Sequence, residues 1–112
     1  MDDMKEALQE VQGTIGKLSE EYPELMKSFH NFMETVEKDG ALPHKQKELI
    51  SLGIAIAKQC KWCIAFHVEN CMKADATKDE IMETCFVAAL MGGGPALMYV
   101  QLAVKAMQDL GQ

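Results

Sequence analysis

Pro43-His44-Lys45-Gln46-Lys47-Glu48-Leu49-Ile50-Ser51-Leu52-Gly53-Ile54-Ala55-Ile56-Ala57 decides the fold. Pro43 suits the opening of a helix, because its ring fixes φ and its missing N–H costs nothing in a first turn. Leu49, Leu52, Gly53, Ile56 and Ala57 then recur in steps of three and four, the helical period. Residues 50–57 are apolar on most faces, which predicts a deeply buried helix.

The flanking sequence extends the same pattern. Upstream, Met4, Ala7, Leu8, Val11, Ile15 and Leu18 form one helical stripe, weakened by Gly13 and Gly16 at about 1 kcal/mol each against alanine. That helix therefore depends on docking. Pro23 opens a second helix with a stripe of Leu25, Met26, Phe29, Phe32, Met33 and Val36, and Gly40 is its stop. Downstream, a fourth helix runs through His67 to about Lys73. Thr77-Lys78-Asp79-Glu80 matches a capping box, in which the hydroxyl and the carboxylate satisfy orphan amides reciprocally. A fifth helix carries Ile81, Cys85, Phe86 and Ala89. Gly92-Gly93-Gly94-Pro95 breaks it, and a sixth runs from about Pro95 to Leu110. No segment alternates like a strand. The expectation is an all-α, single-domain bundle of about six helices over residues 1–112.

Composition narrows the function. The chain has 112 residues, 48% hydrophobic and 25% charged, ordinary for a soluble globular domain. Its net charge of −6 leaves no basic patch to meet phosphates, so no nucleic-acid partner is expected. No apolar run reaches the roughly 18 residues of a membrane span, so no membrane association is expected. The start, Met1-Asp2-Asp3-Met4-Lys5-Glu6, lacks the apolar core of a signal peptide. A cytoplasmic location follows as the expectation, and there paired cysteines are more often catalytic or metal-binding than structural. Nine methionines and only 6% aromatics suit adaptable helix–helix contacts. They also imply more apolar surface than one small bundle hides, with self-association as the outlet. The Met and Phe stripes are read as core or subunit interface.

Cys60-Lys61-Trp62-Cys63-Ile64-Ala65-Phe66-His67 carries the chemistry. On a helix, Cys63 and His67 lie one turn apart on one face, and Cys60 lies one turn before them. Two thiols are then close enough to join, with a base beside them. Glu48, twelve residues before Cys60, is placed to orient that base. Three arrangements compete. Two buried structural thiols are the first. The second is a zinc site extended to Cys71, but on one continuous helix Cys60 and Cys71 would be about 16 Å apart, too far to share a metal. The third is a thiol–disulfide couple, in which a helix start favours thiolate, an imidazole takes the proton and a carboxylate fixes the tautomer. No cofactor is called for, and Ile64 in place of a histidine after Cys63 excludes covalent haem. Cys71 and Cys85 are read as buried core thiols. His30 and His44 are read as surface or helix-end histidines, with no cysteine or carboxylate at a telling spacing.

Lys47-Glu48-Leu49-Ile50, the Ala/Ile-rich helix, Cys60-x-x-Cys63-x-x-x-His67 and Lys73-Ala74-Asp75-Ala76-Thr77-Lys78-Asp79-Glu80-Ile81 together resemble the carboxymuconolactone decarboxylase family. They resemble more particularly its alkyl hydroperoxidase D-like branch, over roughly residues 42–108. Glu48, Cys60, Cys63 and His67 fall in register with a Glu-x11-Cys-x2-Cys-x3-His signature. The resemblance implies an all-helical homo-oligomer, a trimer or hexamer. It implies that Cys63 attacks a hydroperoxide, Cys60 resolves the sulfenic acid to a disulfide, and Glu48 with His67 relays the proton. Trp62 stands where some hydroperoxidases carry a second histidine. That departure leaves a slower peroxidase, or a protein disulfide as substrate, with a thiol reductant unidentified. A non-catalytic helical oligomer holding a partner or small apolar ligand is the alternative, and a metal-binding protein the third.

Overall fold

The structure, a computed structural model, describes residues 3–111; Met1 and Asp2 of the charged N-terminal stretch lie outside it. Five helices follow in order: α1 (Asp3–Glu21), α2 (Pro23–Glu37), α3 (His44–Ala57), α4 (Lys61–Lys73) and α5 (Lys78–Leu110). Among the described residues there is no strand. The all-α expectation holds, with one helix fewer. The break at Gly92–Pro95 is a kink inside α5, not a loop. Gly93 takes φ 76° and ψ −163°, a conformation essentially reserved for glycine. Helix continues on both sides, because Pro95 lies in the first turn after the kink and gives up no needed donor there.

The core is where α3, α4 and α5 meet. Leu52, Ala55 and Ile56 of α3, Ile64, Val68 and Cys71 of α4, and Ile81, Cys85 and Ala88 of α5 are buried together. Met4, Ala7 and Leu8 dock α1 onto this centre, which is the support its two glycines require. The Ile50–Ala57 segment is buried on only part of its circumference. Leu52, Ala55 and Ile56 go inside, while Ile50 and Ile54 remain on the surface.

Local chemistry fixes the joints. The capping box is present, with Thr77 Oγ1 accepting from the Glu80 N–H at 3.1 Å and Glu80 Oε1 accepting from the Thr77 N–H at 2.8 Å. Lys45 reaches the same carboxylate at 3.0 Å, tying the start of α3 to the start of α5. The α3–α4 turn is a Schellman motif. The Gln59 N–H donates to the Ile56 carbonyl and the Cys60 N–H to the Ala55 carbonyl, with Gln59 at φ 58°. Asp75, at φ 66°, closes α4 in the same way. Neither left-handed position carries the usual glycine.

One expectation about apolar length needs correcting. By length and composition, α5 could cross a membrane, with a mean hydropathy of 1.5 over 18 residues. Its Leu, Val, Phe and Met residues and the lack of charge between Cys85 and Val100 raise that average, and helix continues through the kink. The same helix places Ile81, Cys85, Ala96, Val100 and Ala103 in the protein core.

Two stability outcomes follow from the joints. Thr77→Ala removes the hydroxyl half of the capping box and is expected to lower unfolding stability by about 1 kcal/mol in chemical denaturation. Gln59→Gly relieves the left-handed strain and is expected to raise it by up to about 1 kcal/mol. An unchanged denaturation midpoint in either variant contradicts the assigned turn.

Candidate active site

Glu48 is the one buried charged residue in the described core, 1% exposed on the second turn of α3. Burying a carboxylate without partners is costly, so its neighbours matter. His67, on α4, places Nδ1 3.0 Å from Glu48 Oε1. A carboxylate can only accept, so Nδ1 donates, and in the neutral imidazole Nε2 then holds the lone pair. His67 thereby becomes a base oriented by an acid.

His67 also borders the cysteine pocket. His67, Cys60 and Cys63 line one cavity of about 390 Å³, together with Ser51, Ile54, Ala55 and Lys58. Cys60 and Cys63 are joined as a disulfide, their Cα atoms 5.3 Å apart. Cys60 is both the last residue of the Schellman turn and the N-cap of α4, with its sulfur accepting from the Cys63 N–H at 3.2 Å. A negative charge on that sulfur would face the positive end of the helix. Lys58 lines the same cavity.

Glu48, Cys60, Cys63 and His67 therefore come together as one group around the α3–α4 turn. Trp62, between the cysteines, points the other way: its Nε1–H donates to Glu10 of α1 at 2.9 Å. It fastens α1 to the turn and takes no place in the pocket. Cys71 and Cys85 are buried and free, and burial pushes their thiols up to about 12 and about 11. Neither forms thiolate readily at neutral pH. Among the described residues, no three or more His, Cys, Asp or Glu side chains are grouped to hold a metal ion.

His44 is the helix-end residue expected, the first of α3, but the reading that it has no telling carboxylate is overturned. Glu48 is its i+4 neighbour, and His44 Nε2 lies 3.8 Å from Glu48 Oε2. His44 Nδ1 donates to the Glu37 carbonyl at 2.6 Å, so the ring faces the buried carboxylate by its other nitrogen. The one-turn spacing was visible in the sequence. Ser51 and Lys58 were also missed, and only the turn geometry brings them in. A second cavity of about 260 Å³, lined by Glu37, His44, Glu48, Asn70 and Lys73, opens on this side of the carboxylate.

The comparisons with known proteins agree on family and fold. The pattern of the carboxymuconolactone decarboxylase family matches residues 23–106. A crystal structure of a member from Legionella pneumophila shares 39% identity and superposes with a TM-score of 0.95, covering 100% of both chains. A member from Thermotoga maritima, for which a part in the antioxidative response has been suggested, shares 26% identity at a TM-score of 0.81, covering 93% of this chain and 89% of that one. An uncharacterised protein of Cupriavidus necator is 34% identical over 108 residues, 96% of each chain. A helical protein with a cysteine pair at a helix start, served by a carboxylate-held histidine, is thus the class that fold and site define. The chain belongs to the carboxymuconolactone decarboxylase family.

Burial and the negative charge of Glu48 raise the Glu37 carboxyl above its ordinary 4.5, against the lowering effect of His67 and His44. A raised acid binds more protons folded than unfolded, so its contribution to stability falls as pH rises from 4.5 through the folded value. Glu37→Gln is expected to stabilise the protein at pH 7 and to lose that advantage below about pH 4. A variant no more stable at pH 7 than the native chain contradicts this environment.

Proposed function

We propose that this protein is a thiol–disulfide oxidoreductase that reduces hydroperoxides by cycling Cys60 and Cys63 between dithiol and disulfide. The observation that carries the proposal is the 3.0 Å contact between buried Glu48 and His67, the histidine that lines a pocket with both sulfurs. The suggested antioxidative role of the Thermotoga relative supports it, as does the signature shared with the hydroperoxidase branch.

In the reduced protein His67 Nε2 takes the Cys63 proton, and Glu48 stabilises the imidazolium that forms. The Cys63 thiolate attacks the terminal peroxide oxygen and the O–O bond breaks. The departing alkoxide takes the proton back from His67 and leaves as the alcohol, with Cys63 now a sulfenic acid. The Cys60 sulfur then attacks the Cys63 sulfur and displaces hydroxide. The proton from Cys60 completes a water molecule. Two electrons pass from the dithiol to the peroxide, and a small-molecule or protein dithiol returns them by exchange. The α4 amide against Cys60 favours its departure as thiolate when the reductant attacks Cys63. A protein disulfide would use the same two sulfurs in the same order. A reducing compartment such as the cytosol would supply the donor.

One equivalent of cumene hydroperoxide added to the reduced protein is expected to form a Cys60–Cys63 disulfide, located by peptide mass mapping. Cys60→Ser should stop at a sulfenic acid trapped by dimedone, and His67→Gln should slow the oxidation about 100-fold. A Cys63→Ser variant that consumes peroxide like the native chain would sink the proposal.

A further inference from the structure

Glu48 meets a histidine at each of its two oxygens, and only one of those histidines borders the cysteines. Oε1 accepts from His67 Nδ1 at 3.0 Å, and His67 lines the pocket that holds Cys60 and Cys63. Oε2 lies 3.8 Å from His44 Nε2, and His44 lines the separate cavity of about 260 Å³. His67 and Glu48 take part in the proposed proton relay; His44 does not.

The partners of the His44 ring decide what this second contact can be. A backbone carbonyl only accepts, so the 2.6 Å contact with the Glu37 carbonyl takes a hydrogen on Nδ1. Nε2 is then the nitrogen that gains or loses a proton, and it is the one facing Glu48. A neutral ring turns a lone pair toward the carboxylate. An imidazolium turns an N–H and a positive charge toward it. The His44 side chain is 42% exposed, against 19% for His67 and 1% for Glu48, so of the three it is the one open to exchange with water.

The surroundings can hold that charge. His44 is the first residue of α3, where the helix dipole disfavours a cation. Carboxylates offset this: Glu48 one turn on, Glu37 in the same cavity, and Asp39, which accepts from the His44 backbone N–H at 2.6 Å. The cations of this region have other partners. Lys73 pairs with Glu69 at 3.2 Å and Lys45 with Glu80 at 3.0 Å. Lys47 donates to the Val36 and Lys38 carbonyls.

We infer that His44 is a positioning residue that sets, through Glu48, how strongly His67 holds the proton taken from Cys63. A carboxylate that faces one imidazolium acts on it with its full field. Facing two, it divides that field, and the two cations also repel. Protonation of His44 thus weakens His67 as a base, and deprotonation restores it. Cys63 therefore loses reactivity in acid more steeply than its own ionisation dictates. This role of His44 rests on the reading of His67 as the base for Cys63, and not on peroxide as the substrate.

Alkylation of Cys63 by iodoacetamide, in the reduced protein carrying Cys60→Ser, reads the effect without peroxide. Rates are compared from about pH 5.5 to about pH 8, the range in which histidines ordinarily change charge. His44→Gln carries no charge anywhere in that range, and His44→Lys carries one throughout it. At the acid end His44→Gln is expected to react about threefold faster or more than the chain with His44 intact. At the alkaline end His44→Lys is expected to react about threefold slower or more. Both differences should vanish when Glu48 is replaced by glutamine, as a route through that carboxylate requires. Circular dichroism at each pH checks that helix content is kept.

A purely structural role for His44 moves both variants in one direction at every pH. That result, or variant and native rates in a constant ratio across the range, overturns the assignment. So does a difference that survives Glu48→Gln. If His67→Gln alkylates at the native rate, His67 is not the base and the role of His44 falls with it. If the predicted pH dependence appears but peroxide never oxidises the reduced native protein, hydroperoxide reduction is refuted and the role of His44 stands.

Discussion

A carboxylate with almost no access to water, held against one histidine and faced by another, is the constraint around which this molecule is arranged. Glu48 sits on the helix that supplies much of the core, so its charge lies among Leu52, Ile56 and their partners. Such a charge is tolerable only when compensated. His67 supplies the near compensation at 3.0 Å and His44 faces the other oxygen at 3.8 Å. The contact couples α3 to α4 across the turn that carries Cys60. One hydrogen bond thus meets a demand of stability and, in the proposed function, a demand of chemistry.

The turn matters as much as the pair. Gln59 in the left-handed region lets α3 end by a Schellman closure and α4 begin at once with Cys60 as its cap. That sharp change of direction keeps the first sulfur at the positive end of α4. It also leaves His67, two turns into the same helix, against Glu48. A longer connection would free the sulfur from the helix end. The strain at Gln59 is the local cost of that geometry.

Much of this was legible in the sequence, for physical reasons that differ from one element to another. The capping box at Thr77 and Glu80 is local chemistry, and it forms as read. Four residues at fixed spacing foretold the cysteine pair with its base and acid, since helical spacing fixes Cys63 against His67. Glu48 was picked out by its place twelve residues before Cys60 and matched by the family register, but no local pattern announced its burial. Other features were hidden. The α2 stripe showed an apolar face without showing that nothing in this subunit covers it. His44 escaped because it was weighed against the cysteines, although Glu48 lies one turn away. Gln59 and Asp75 lack the glycine that normally signals a left-handed residue, so only backbone geometry reveals them. The Gly92–Pro95 break was real, but a single glycine conformation absorbs it and helix resumes.

The account depends on Glu48 acting through His67 on the sulfur chemistry. The most direct test is the rate at which Cys63 reacts with iodoacetamide at pH 6 in a Cys60→Ser background, with Glu48 present or replaced by glutamine. With the carboxylate in place, alkylation should be at least about tenfold faster than in the glutamine variant. Equal rates in two folded proteins would mean that the buried acid supports the helices alone, and the proposed relay would be wrong.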